Sequence, residues 1–232
     1  MTPQRLTEPI EPEGQVLLIN KPKGWTSFDA VNRVRHILGV KKAGHAGTLD
    51  PLATGLLVVC TGRKTKELRH FQDLEKEYHV VIRLGARTAS LDAETPVVNQ
   101  QDCGGISGEQ IQSTISRFVG RQMQVPPMYS AVKVRGRRLY KYARKGISVE
   151  RPPREVFIQS ITVQAIDLPD VHMAVVCSKG TYIRTLVDDI GRELGCGAYV
   201  HSLERTRIGN FLIGDARSFD DSGVELSAGL GS

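Results

Sequence analysis

Apolar positions along this chain recur with two periods, and the switches between them mark its elements. Gln15 to Asn20 is a short apolar run that reads as a buried strand. Past the turn formers Pro22 and Gly24, the residues Phe28, Val31, Val34, Ile37 and Leu38 recur at helical spacing. Thr26 or Ser27 can cap that helix and Gly39 can stop it. Leu56 to Cys60 reads as a second buried strand, and Arg63 to Leu74 as a short basic helix with Leu68 and Phe71 inward. Glu77 to Leu84 alternates, placing Tyr78, Val80, Ile82 and Leu84 on one strand face and His79, Val81 and Arg83 on the other. Ser107 to Gly120 predicts an amphipathic helix with a Ser107–Gln110 capping box, Ile111, Ile115 and Phe118 inward, and Gly120 as its end. Arg154 to Ile166 and His172 to Ser178 read as strands around a Leu168-Pro169-Asp170 turn. A last helix starts near Thr181, with Ile183, Leu186, Val187, Ile190 and Leu194 inward and Arg184 in its first turn. An arginine there opposes the helix dipole, a local conflict of the kind that marks sites.

Composition narrows the class. The 232 residues, 40% apolar and 24% charged, suit one sizeable domain or a domain with a lobe. No apolar run approaches the roughly 18 residues of a membrane span. The segment Met1 to Glu13 lacks an apolar signal core, so a flexible polar tail over residues 1–14 and a cytoplasmic location are expected. Cys60, Cys103, Cys177 and Cys196 lie far apart, without the paired spacing of a zinc site, and suit reduced thiols. Cys60 and Cys177, within apolar runs, read as core.

Charge changes the picture more. Of the net +6, the segment 121–154 carries +9 and the rest of the chain −3. Such a concentrated positive segment is a footprint for a polyanion, nucleic acid first and an anionic membrane surface second. Tyr129, Tyr140 and Tyr142 are interleaved with those cations, an arrangement suited to unpaired bases between phosphates.

The candidate chemistry lies in Gly44-His45-Ala46-Gly47-Thr48-Leu49-Asp50-Pro51-Leu52-Ala53-Thr54-Gly55. Three glycines in twelve residues describe a tight loop. Pro51 drives Asp50 toward extended backbone, so its carboxylate can project between the anchors Leu49 and Leu52. A single acid so held suits nucleophilic or general-base work; a turn shaped by Asp-Pro is the plainer alternative. His45 on its own reads as a loop histidine.

The run from His45 to Leu57 resembles the catalytic motif of the TruB family of tRNA pseudouridine synthases. Further matches are the lysine-proline turn at Lys21-Pro22, the motif Lys76-Glu77-Tyr78, Cys177 to Thr185, and Gly195 to Arg207. The segment Gly85 to Asp92 also matches, with Ser90 where the family has a second threonine. The resemblance covers roughly Val16 to Ile213 and implies an α/β (α+β) pseudouridine synthase fold. In that fold a mixed, largely antiparallel sheet is flanked by helices, with a mobile basic thumb at about 121–154.

The resemblance further implies isomerisation of uridine to pseudouridine at position 55 of the tRNA T-loop, with no metal and no cofactor. It makes Asp50 the nucleophile, paired with Arg184. Tyr78 would stack on the flipped base and stand as candidate for removing the ring proton, while His45, Tyr182 and Leu203 contact substrate. Lys21, Tyr129, Lys133, Arg137 and Arg144 are candidate RNA contacts, although Lys21 reads better as support for the active loop. A catalytic domain over 15–213 and a short acidic tail over 214–232, without the further RNA-binding domain of PUA type, are expected. The T-arm of tRNA is the expected partner, for a monomer needing neither membrane nor protein partner, with an RNA chaperone role possible beside the chemistry. Guided relatives that act with accessory proteins, an RNA chaperone that opens the T-arm without chemistry, and glycosidases, which use two carboxylates, are the rivals.

Overall fold

The computed structural model describes residues 13–130, 132–134 and 136–220. The chain divides into two compact units, Met1–Glu77 with Glu204–Ser232, and Tyr78–Leu203. Its elements in chain order are β1 (Val16–Lys21), α1 (Ser27–Leu38), β2 (Ala43–Ala46), β3 (Thr54–Thr61), a 3₁₀ turn (Gly62–Glu67), α2 (Leu68–Asp73) and β4 (Lys76–Leu84). There follow β5 (Ala86–Thr88), β6 (Val97–Gln100), α3 (Gly108–Ser116), β7 (Gly120–Gln124), β8 (Lys133–Val134), β9 (Arg137–Arg138) and α4 (Leu139–Ala143). The remainder are β10 (Arg154–Asp167), β11 (Asp170–Cys177), α5 (Ile183–Glu193), β12 (Ala198–Ile208), β13 (Phe211–Leu212) and β14 (Arg217–Ser218). Strands β4 and β12 each run through both units.

In the first unit the strand order is β14-β1-β3-β12, with β2 also on β3 and β13 on β12. Strand β3 is apolar on both faces because both are covered. Leu57 and Val59 meet Leu17, Ile19 and the α1 residues Ala30, Val31 and Val34. Leu56, Val58 and Cys60 meet Phe71 of α2 and Ile208. Helix α1 begins in a capping box in which the Thr26 hydroxyl accepts from the Asp29 N–H and the Asp29 carboxylate accepts from Thr26. It ends on Gly39 in the left-handed region. The expected basic helix over 63–74 is split: a 3₁₀ turn runs to Glu67 and only Leu68–Asp73 is α-helical. The buried Lys76 ammonium donates to the carbonyls of Phe71, Gln72 and Leu74 and so fixes where α2 stops.

In the second unit the order is β12-β4-β11-β10-β7, and β10 pairs antiparallel with both β11 and β7. Val80, Ile82 and Leu84 of β4, as the alternation predicts, and Val171, Met173, Val175 and Cys177 of β11 are buried. Helix α5 buries Ile183, Leu186, Val187 and Ile190, while Leu194 is its half-buried C-cap. Helix α3 has the expected Ser107–Gln110 box but closes at Arg117. Gly120, expected to end the helix, instead opens β7 at φ +107°. Within the basic segment, β8 and β9 pair as a small hairpin before α4, whose Leu139 is fully buried. The fold class is thus the expected mixed α+β arrangement with a largely antiparallel sheet. Of the expected C-terminal tail, residues 217–218 pair parallel with β1; residues 1–12 and 221–232 lie outside the described residues.

Candidate active site

The run from Gly44 to Gly55 is the end of a hairpin, not loop throughout. Gly44, His45 and Ala46 belong to β2, Thr54 and Gly55 to β3, and only residues 47–53 are irregular. Strands β2 and β12 share one edge of β3: Ala46 pairs with Val58, and Arg205 of β12 with Gly55. On the other edge Lys21 of β1 pairs with Gly55. A row Lys21–Gly55–Arg205 therefore crosses the base of the loop, and both cations are buried, at 0% and 1% exposure. Gly55 is required there. Its φ is +101°, and a Cβ would stand 2.4 Å from the Arg205 carbonyl oxygen.

Each contact in this base acts on loop backbone. Arg205 Nε donates to the Leu56 carbonyl at 2.7 Å and Nη2 to that of Gly47 at 3.1 Å. Lys21 Nζ donates to the carbonyls of Pro22 at 2.9 Å, Trp25 at 2.7 Å and, more distantly, Pro51 at 3.5 Å. The Gly24 N–H reaches the Pro51 carbonyl at 2.8 Å. The Ser27 hydroxyl accepts from the Leu49 N–H at 2.8 Å and donates to the Leu49 carbonyl at 3.1 Å. Asp50 is thus bracketed: Leu49 before it and Pro51 after it are both pinned, and its own carbonyl accepts from the Ala53 N–H at 3.1 Å. The residue is half-buried while Leu49 and Ala53 are buried. Lys21 is corrected here from candidate RNA contact to loop support, because a fully buried ammonium already donating to carbonyls has no face for phosphate.

His45 lies in β2, half-buried, rather than in a water-facing loop. Burial, and then the Arg205 guanidinium, lower its pKa, against a smaller opposite pull from the Gly47 backbone. It is therefore a neutral ring near neutral pH, able to make hydrogen bonds without bringing a charge.

In the second unit Arg184 is 4% exposed, in the first turn of α5. Its Nη1 lies 3.4 Å from Asp92 Oδ2 and donates to the Ser90 carbonyl at 3.0 Å; Nη2 donates to the Tyr129 carbonyl at 2.7 Å. The dipole conflict is answered by this buried carboxylate and these two carbonyls. The matching segment Gly85 to Asp92 is what presents them. Thr88 Oγ1 donates to the Asp92 carbonyl at 2.6 Å, and the Asp92 carboxylate accepts from the Ser90 hydroxyl and, at 3.1 Å, from the Glu94 N–H. Ser90 thus uses the hydroxyl that it shares with threonine. Leu91 between them sits at φ +65°, which costs a leucine about 1–2 kcal/mol, and such strain gathers at sites.

Tyr182 is half-buried at the N-cap of α5, where buried Gln124 holds it from both sides: Tyr182 N–H to Gln124 Oε1 at 2.9 Å, Gln124 Nε2 to the Tyr182 carbonyl at 3.4 Å. Gln124, Val125 and Tyr129, where the chain enters the basic segment, are thereby tied to Tyr182, Thr185 and Arg184. Tyr78 and Leu203 are buried on β4 and β12. Tyr129 is half-buried, and Arg144 is exposed with its guanidinium 5.6 Å from the Tyr140 ring centre. The side chains of Lys133 and Arg137 lie outside the described residues.

Ser27, Asp92, Gln124 and Arg205 were not among the residues expected to matter. In the sequence Ser27 reads only as a cap of α1, a place that Thr26 takes; Asp92 and Arg205 lie inside matching segments without a role of their own. Gln124 carries no signal in the sequence.

Comparison with known proteins identifies the family. The model of the TruB family pseudouridylate synthase N-terminal domain matches residues 35–183, and that of the tRNA pseudouridylate synthase B C-terminal domain matches 184–222. A tRNA pseudouridine synthase B from Ralstonia pickettii (strain 12J) is 49% identical over 220 residues, covering 92% of this chain and 69% of the relative. One from Desulfotalea psychrophila (strain LSv54) is 50% identical over 207 residues, covering 87% and 84%. Among solved structures, a chain of a Cbf5-Nop10-Gar1 complex aligns with a TM-score of 0.68 at 32% identity, over 87% of this chain and 50% of its own length. This chain therefore spans about half of that protein. With its loop, its buried arginine and its family models in agreement, the chain belongs to the TruB family of pseudouridylate synthases.

Proposed function

We propose that this enzyme isomerises uridine to pseudouridine at position 55 in the T-loop of tRNA, with Asp50 as nucleophile. The observation that carries the reading is the pinned loop 47–53, which fixes the backbone on both sides of one half-exposed carboxylate. The target base is stacked within folded RNA and must be extruded, at a cost of about a few kcal/mol. Phosphate contacts from the basic segment and stacking on Tyr78 offset that cost. Asp50 then attacks the nucleoside. The N1–C1′ bond breaks, the uracil turns within the site, C5 bonds to C1′, the bond to Asp50 is released so that its carboxylate is restored, and the C5 proton leaves to a base, for which Tyr78 is the candidate. The freed N1 ends protonated.

Arg184 serves the Asp50 carboxylate in this reading, while its scaffold in its own unit is Asp92, Ser90 and Tyr129. Because the Tyr129 carbonyl is one of its anchors, movement of the basic segment on RNA is transmitted to this guanidinium. Tyr182, Leu203 and neutral His45 line the nucleotide's surroundings. Stand-alone action on tRNA, in the cytoplasm and as a monomer, is preferred over guided action. The bacterial relatives named for tRNA are 49–50% identical, against 32% for the Cbf5 chain.

The test is incubation with an unmodified tRNA transcript, followed by chemical labelling of pseudouridine and sequencing. A single new stop at position 55 supports the reading; a stop elsewhere, or none, overturns it. Annealing of a misfolded tRNA by an inactive Asp50 variant is the separate readout for a chaperone role.

A further inference from the structure

A second concentration of positive charge lies outside the basic segment, in the first unit. From Ala30 to Leu49 the chain has no acidic residue, but it has Arg33, Arg35, His36, Lys41 and Lys42. The net −3 outside 121–154 conceals this group, because the balancing acids lie elsewhere in the chain. Basic residues in a last helical turn have a bland explanation, since they complement the negative end of the helix dipole. Two features go beyond it. A cavity of about 360 Å³ opens at the end of α1, lined by Asn32, Arg35, His36, Gly39 and Val40. Within this group Arg35 Nη1 donates to Asn32 Oδ1 at 3.1 Å, while Arg35 Nε is buried and has no hydrogen-bond partner among the described residues. A buried N–H of a charged group left without an acceptor is costly, and an acceptor in the cavity would remove that cost.

The helix end does not compete for the arginine. The carbonyls of Arg35 and His36 accept from Gly39, and that of Arg35 also from Val40 at 3.1 Å. Exposed His36, Lys41 and Lys42 lie along the same short stretch. The Lys42 carbonyl accepts from the Gly62 N–H at 2.9 Å, which brings the lysine beside the 3₁₀ turn carrying exposed Lys66, while Arg63 of that turn lies 3.8 Å from the Glu13 carboxylate. The favoured acceptor is therefore anionic and arrives with further anions at its flanks, which describes a polyphosphate backbone better than a single small acid.

We propose that the end of α1 and the turn after it bind a backbone phosphate of the substrate RNA, with Arg35 reaching it from the cavity and Lys41 and Lys42 meeting its neighbours. This rests on reading the chain as an RNA-modifying enzyme, and it adds a contact surface remote in sequence from the basic segment. Such contacts position RNA without reading its bases, so their loss weakens all substrates alike.

The test compares the wild type with Arg35→Gln and, separately, Lys41→Gln/Lys42→Gln. The affinity for an unmodified tRNA transcript is measured by fluorescence anisotropy at several KCl concentrations, with thermal melting as fold control. The expected result is binding weakened about threefold to tenfold at low salt, with the slope of log Kd against log salt shallower by about one for each lost contact. Unchanged affinity and slope in both variants would overturn the proposal. So would weakening in Arg35→Gln alone that tracks a lower melting temperature, because the effect is then one of folding. Pseudouridine formation by the wild type, followed in parallel, separates failure of this surface from failure of the proposed function.

Discussion

Ser27→Ala isolates the link between the active loop and the body that carries it. Ser27 is 2% exposed, and its hydroxyl makes two bonds to one residue, Leu49, 22 positions away. Alanine removes both and leaves the Leu49 N–H and carbonyl without this partner beside Asp50. A buried group stripped of its hydrogen bond costs about 1–3 kcal/mol, so stability in urea should fall by about that amount. The loss is local to the carbonyl and amide that fix the approach to Asp50. A carboxylate displaced by even about an ångström reacts about a hundredfold more slowly. The expected single-turnover rate with saturating tRNA is therefore down tenfold to a hundredfold, by order of magnitude. Thr26→Ala is the control. Thr26, not Ser27, caps α1, so that variant loses about 1 kcal/mol of stability and keeps its rate. A Ser27→Ala enzyme at the wild-type single-turnover rate would show that this hydroxyl does not hold the loop in its working position.

Other consequences can be checked with stability and reactivity measurements. Asp92→Asn removes the carboxylate facing buried Arg184; breaking such a pair costs about 3–5 kcal/mol, read by urea unfolding, and a loss under about 1 kcal/mol would show that the carbonyls suffice. His45 is held below the ordinary histidine value of 6.5, so the unfolded chain takes up its proton first as pH falls. Stability from this group is complete above that value and is lost as the pH drops through and below it. His45→Gln should flatten the acid side of the stability profile, and an unchanged profile would contradict the assignment. Burial pushes the Cys60 thiol up to about 11, so at pH 8 Cys60 should resist alkylation in the folded chain and react on unfolding, as mass spectrometry of labelled peptides would show.

What could be read from sequence, and what could not, divides by the range of the interaction. Strand β3, helix α1 and the Ser107–Gln110 box are set by neighbours within a turn or by a face that one element must bury, and they stand where the pattern puts them. The end of α3 was misjudged because Gly120 has the conformation of a cap but serves a strand. The helix over 63–74 stops at Asp73 because Lys76, two residues beyond the expected end, donates a buried ammonium to its last carbonyls. At the site, the tight loop around Asp50 was legible from its glycines and Pro51, but the groups that hold it were not. Ser27 and Leu49 are 22 positions apart and Arg205 and Gly47 are 158 apart, and no local pattern encodes such partnerships. Lys21 illustrates the opposite error: a lysine in a basic protein suggests phosphate until its full burial is seen.

The central claim is that one carboxylate, that of Asp50, does the bond-making. It is tested most directly by Asp50→Asn in single turnover on an unmodified tRNA transcript, with the affinity measured alongside. The account predicts no pseudouridine at any time point while the Kd stays within a few-fold of the wild type. Conversion at the wild-type rate by that variant would contradict it.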